Sequence, residues 1–196
     1  MANSAQSTAP LSERTVLTFL IGQGFFIGAS LTLLYMTANT LFLLNYGSET
    51  LPYLYIVSGV VIAATSFGFA AMQKRRSLAT LALGVYGVFG AAFFIARVAY
   101  SESTARVLSF AMMLAFSLMT LLCSIVLGAQ AGRVFDVRQM KRLYPLVLAS
   151  QILAVVMGGL LVTPLTRWLG GVENLLALSG GAMFIALAFL VATIRR

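Results

Sequence analysis

The sequence has no histidine, one cysteine and only five acidic residues in 196. Without His there is no His-ligated haem or zinc site and no imidazole base. A single Cys, Cys123, forms neither an internal disulfide nor a CxxC pair, and reads as a small apolar core residue. Five carboxylates leave little room for a metal cage or a two-carboxylate hydrolase. No nucleophile–base set stands in for them, so neither an enzymatic activity nor a cofactor or metal is expected. Charge of either sign is scarce: 9% of residues are charged and 60% are hydrophobic, against about 25% charged in an average soluble domain. That composition predicts a membrane protein.

What remains is long apolar runs. Six follow a small, polar stretch at 1–14 that reads as a disordered cytoplasmic tail, and together they make one transmembrane domain over 15–196. They lie at about 15–46, 53–72, 78–100, 107–131, 144–165 and 175–194, each near or above the roughly 20 residues that span a bilayer. The first is too long for a removed signal peptide and long enough to span while tilted or kinked. The breaks between runs carry turn or charge signals: GSETLP, QKRRS, SESTAR, GRVFDVRQMKR and TRWLGGVEN.

Net charge is +8, with 13 basic residues. In a soluble protein this hints at nucleic acid; here the basic residues cluster in short loops, so they set topology and no nucleic-acid partner is expected. Alternate loops hold ten of them (Arg14; Lys74, Arg75, Arg76; Arg133, Arg138, Lys141, Arg142; Arg195, Arg196) against three (Arg97, Arg106, Arg167). The bias predicts a multi-pass protein with both termini in the cytoplasm. Tyr46, Tyr53, Tyr55, Tyr100 and Trp168 gather near the opposite boundary, where amphipathic rings settle.

No Asp, Glu or Lys lies within a span. Arg97, about a turn from the end of the third, reads as an interfacial anchor that snorkels outward, or as a substrate contact; no acidic residue at its depth pairs with it. Uncharged polar residues supply the pathway candidates: Gln23, Tyr35 and Asn39 on the first span, Gln130 and Gln151 later. Tyr35 and Asn39 are four apart on one face, whereas Gln23 is about three turns away. Such groups also bond neighbouring helices, as do Thr37, Thr40, Thr65, Ser66, Thr120 and Ser124. Gly24 with Gly28, and Gly128 with Gly132, have the small-xxx-small spacing that lets helix backbones approach; flexibility for alternating access is the second meaning.

Residues 132–145, GRVFDVRQMKRLYP, interleave apolar and charged residues. Read as a short helix, the segment sets Asp136 three residues from Arg133, within reach of an ion pair. Two readings fit it: a cytoplasmic gate held by Asp136 among Arg133, Arg138 and Arg142, or a basic interfacial helix on anionic lipid. Pro145 is placed to bend or restart the chain at the fifth span.

The order Y-x-x-A-N-x-L-F from Tyr35, G-x-x-x-L-P-Y from Gly47 and F-D-V-R-Q-x-K-R from Phe135 resembles the amino-terminal half of a major facilitator superfamily branch. That branch is the bacterial set similar to ATP/ADP translocases, whose longer members often carry HEAT repeats or a cyclic-nucleotide-binding domain. The resemblance covers nearly all of 15–194. It implies an all-α bundle of six transmembrane helices in two three-helix repeats, one half of a twelve-helix transporter. There is no Lys in the first span and no Glu in the fourth, so nucleotide exchange is not carried over. QKRRS also lacks the Asp of the superfamily's loop motif. A second half is expected where the chain stops. The functional expectation is therefore a half-transporter pairing with itself or with another membrane subunit; the alternatives are a non-transporting subunit of a larger complex and an amino-terminal fragment of a longer protein.

Overall fold

A computed structural model describes residues 13–194; the expected tail, save its last two residues, and the terminal Arg195 and Arg196 lie outside them. Six α-helices follow in order: α1 Glu13–Tyr46, α2 Leu51–Gln73, α3 Leu78–Ala99, α4 Ala105–Val134, α5 Val137–Leu169 and α6 Leu175–Ile194. Single 3-10 turns, Ser48–Thr50 and Val172–Asn174, precede α2 and α6. All six helices are long and apolar enough to cross a membrane, and the chain is a multi-pass membrane protein on that ground.

Local chemistry sets the helix ends. Gly47, at φ 75°, turns the chain out of α1, and its N–H closes on Leu43 O at 3.0 Å. Pro52 sits in the first turn of α2, where its missing N–H costs nothing. Ser77 caps α3 by accepting from the Thr80 N–H at 3.2 Å. Gly170, at φ 77°, ends α5.

The fourth and fifth helices differ from the sequence expectation. Residues 132–145 do not make a short helix of their own: α4 runs to Val134 and α5 starts at Val137, so only Phe135 and Asp136 lie between them. Asp136 is the N-cap of α5, in a capping box with Gln139, and the Asp136 N–H donates to Gln139 Oε1 at 3.1 Å. As the N-cap, Asp136 serves backbone donors at the start of α5. No Arg133–Asp136 ion pair forms among the described residues. Pro145 does not restart the chain; the helix continues through it and through Pro164.

Helix α1 is the centre of the bundle and packs on α4, α5 and α6. Its Leu20, Ile27, Leu34, Ala38 and Phe42 are fully buried. Helix α3 packs on α6 and α4, while α2 rests on α4 and buries only Leu54, Ser58 and Phe69. At about 1.5 Å per residue α1 and α5 run to roughly 50 Å, so they tilt or reach well past a hydrocarbon core of about 30 Å.

Candidate functional site

Most polar side chains in the spans turn back on their own helix. Ser66 donates to Ile62 O, Thr120 to Phe116 O and Ser124 to Thr120 O, each four residues back, and Thr37 shares its hydroxyl between Leu33 O and, at 3.3 Å, Val172 O in the turn before α6. The exceptions bond across helices, and they are the sites with chemical content.

One of them is a knot of three side chains from three helices. Gln23 Nε2 on α1 donates to Tyr86 Oη on α3 at 2.8 Å and to Gln130 Oε1 on α4 at 2.7 Å. Gln23 and Tyr86 are fully buried, and Gln130 nearly so. Gln23 Oε1 has no partner. Turning the amide over puts the carbonyl at the knot and leaves the NH₂ orphaned, so either orientation strands one buried polar end. A buried group in that state is rare, and it marks a place where a water or a small polar group gains a hydrogen bond.

The depths of the three residues agree. Gln23 lies ten residues into α1, Tyr86 eight into α3, and Gln130 four before the end of α4. All three therefore sit toward the membrane face that carries the Lys/Arg-rich turns. A cleft of about 120 Å³ opens on that face between Leu78, Gln130, Arg133 and Thr193, so Gln130 borders both the cleft and the knot.

The other pathway candidates are not gathered there. Tyr35 stacks obliquely on Phe116 of α4 at 4.9 Å, and Asn39 is half-buried further along α1. Gln151, on α5, presents its backbone carbonyl to Gly28. The gate candidates Arg133, Asp136, Arg138 and Arg142 are all exposed at the α4–α5 turn.

The two glycine pairs behave differently. A Cβ on Gly24 would lie 3.0 Å from Ser150 Oγ and Val147 O, and one on Gly28 would collide with Gln151 O, so α1 and α5 touch backbone to backbone here. A Cβ on Gly128 would meet only Tyr144 Oη, at 3.4 Å, and one on Gly132 would meet nothing within 4 Å.

Several bonding residues carried no sequence signal strong enough to single them out. Ser30 and Ser179 bond reciprocally across α1 and α6, with Ser30 Oγ donating to Ser179 O at 2.9 Å. Ser150 Oγ reaches Ile21 O at 3.0 Å. Arg97 does have a partner, and it is neutral: its Nε donates to Asn174 Oδ1 at 2.6 Å, while Asn174 Nδ2 donates to Leu169 O. Arg97 thus ties the end of α3 to the α5–α6 turn. Tyr86 had one available cue, a tyrosine in mid-span with no boundary nearby.

No family model, curated protein or solved structure matches the chain.

Proposed function

We propose that this chain is a transporter half, which moves a small solute by pairing with a second copy of itself or with a separate partner half. The observation that carries the reading is the pairing of helices. Exchanging α1 with α4, α2 with α5 and α3 with α6 turns the α1–α5 contact into α4–α2 and the α1–α6 contact into α4–α3, and leaves α1–α4 and α3–α6 unchanged. Every main contact maps onto another. Two inverted three-helix repeats have this property, and the resemblance to the major facilitator superfamily implies the same arrangement. On this reading both termini are cytoplasmic in a bacterial inner membrane, the knot at Gln23 lies on the inward side, and α2 and α5, the least buried helices, face the partner half.

In a Cys123→Ser background, single cysteines at Val60 on α2 and Leu153 on α5, both exposed, are expected to cross-link between two copies. Strictly monomeric protein in native membrane, together with vesicles that move no solute above empty-liposome background, refutes the half-transporter.

One observation favours a second reading, a non-transporting subunit of a larger membrane complex. The knot consists of two amides and a phenol, with no Asp, Glu or Lys among its members. Stoichiometric co-purification with other membrane subunits from native membrane separates the two.

A further inference from the structure

A cavity away from the knot opens beside α2 and α3. It is a groove of about 590 Å³ along α2 and α3, floored by Leu122 of α4 and walled by Phe69, Leu81, Val85 and Phe89. Gly68, Gly84 and Val88 on its rim are exposed, so it opens sideways from the bundle. Along α3 it extends from Thr80 to Phe89, nine residues, or about 13 Å at 1.5 Å per residue. Half of a hydrocarbon core of about 30 Å is about 15 Å, so the groove runs the depth of one leaflet.

Its mouth has the opposite character. Arg76, in the α2–α3 turn, lines the end of the groove and also a polar cleft of about 230 Å³ shared with Gln73 and Arg133. Neither Arg76 nor Arg133 has an acidic partner among the described residues, and Asp136, the nearest acid in sequence, serves as the α5 cap. Two unpaired guanidiniums at the mouth of an apolar slot one leaflet deep select an occupant with one anionic head and a long apolar chain.

We infer that this groove holds one anionic phospholipid of the leaflet on the Lys/Arg-rich side, its phosphate between Arg76 and Arg133 and one acyl chain between α2 and α3. The inference rests on the chain's crossing the membrane and is independent of whether it transports. A zwitterionic lipid fills the slot equally well but leaves both arginines without net counter-charge. The head therefore supplies selectivity and the chain supplies occupancy.

The two parts separate by mutation. Gly84 has open space where a Cβ would be, so Gly84→Leu fills the slot without a backbone clash. Arg76→Gln with Arg133→Gln removes the charge and leaves the slot. Purified protein is titrated with equal amounts of palmitoyl-oleoyl phosphatidylglycerol and phosphatidylcholine, and the bound lipid is counted by native mass spectrometry. Wild type is expected to hold one phosphatidylglycerol in preference by about thirtyfold, the factor for two basic residues at an anionic surface. The double Gln variant is expected to bind both lipids alike, and Gly84→Leu neither. As a measurement that needs no variant, phosphatidylglycerol with a diazirine in its acyl chain should label wild-type α2 and α3 around Gly68 and Gly84. Equal affinity of wild type for the two lipids, retention by Gly84→Leu, labelling elsewhere, or a protein helix occupying the groove in place of lipid overturns the inference.

Discussion

Replacing Gly28 by alanine tests whether α1 and α5 are held together by backbone proximity. The new Cβ would collide with Gln151 O, a backbone atom that cannot rotate aside, and would also lie 3.1 Å from Ala154 Cβ. Relief requires α5 to retreat by on the order of 1 Å, enough to forfeit a quarter to a half of each van der Waals contact it breaks. Overpacking of this kind costs about 1–3 kcal/mol. The retreat also stretches the 3.0 Å bond from Ser150 to Ile21 O, adding about 0.6 kcal/mol. Against these, removing a mid-helix glycine returns up to about 1 kcal/mol of helix propensity. The net expectation is a loss of about 0.6–2.6 kcal/mol. Gly159→Ala on α5 is the matched control, because nothing lies within 4 Å of its Cβ; it keeps the propensity gain and none of the clash. Reversible SDS unfolding in mixed micelles, followed by far-UV circular dichroism, measures both. Wild-type stability in Gly28→Ala, or an equal loss in Gly159→Ala, refutes the close-contact argument.

Gln23→Leu strands the Tyr86 hydroxyl and the Gln130 amide, at an expected cost of about 1–3 kcal/mol. A double-mutant cycle with Gln130→Leu should give a coupling near 0.6 and below about 1.7 kcal/mol in the same unfolding assay; zero coupling removes the knot. Asp136→Asn keeps a good N-cap while Asp136→Ala loses about 1 kcal/mol. If the carboxylate also holds a gate, Asp136→Asn shifts maleimide labelling of a cysteine at Ala129 in a Cys123→Ser background; unchanged labelling confines Asp136 to capping. Asn174→Leu removes the acceptor of Arg97 and should cost about 1 kcal/mol, with faster proteolysis at 170–174 as the readout; wild-type cleavage rates count against the tie.

Four of the helices were legible because an end of each falls on a residue with a local mechanical role. Gly47, Pro52, Ser77 and Gly170 announce themselves without tertiary information. The charged stretch at 132–143 was misread for a related reason. Its interleaved charges suggest a separate short helix, yet Asp136 and Gln139 compose a capping box that starts the long α5 there and carries the charges into it. Tertiary partners were not legible. Gln23 and Gln130 are 107 residues apart, and neither their spacing nor their hydropathy says that they meet at Tyr86. Arg97 reads from sequence as an interfacial anchor or a substrate contact, while its partner is an amide from a turn 77 residues on. The same G-x-x-x-G spacing occurs on α1 and α4, and only what stands opposite decides its use: Val147, Ser150 and Ala154 crowd the first pair, and open space meets Gly132.

That difference bears on the groove. The pairing of helices maps onto itself when α1–α3 are exchanged with α4–α6, but the packing does not: α5 is drawn onto α1 by Gly24, Gly28 and Gly158, whereas Gly59 and Gly68 on α2 face nothing within 4 Å. In water such a gap would tend to close, because exposed apolar walls are driven together. Within a bilayer that force is absent, since lipid tails are as apolar as the walls, and only contact decides. A groove left void would forfeit dispersion on both faces with nothing in return. An open slot between α2 and α3 is therefore stable in a membrane when an acyl chain supplies the missing contacts, and the unpaired Arg76 and Arg133 at its mouth determine which lipid brings that chain.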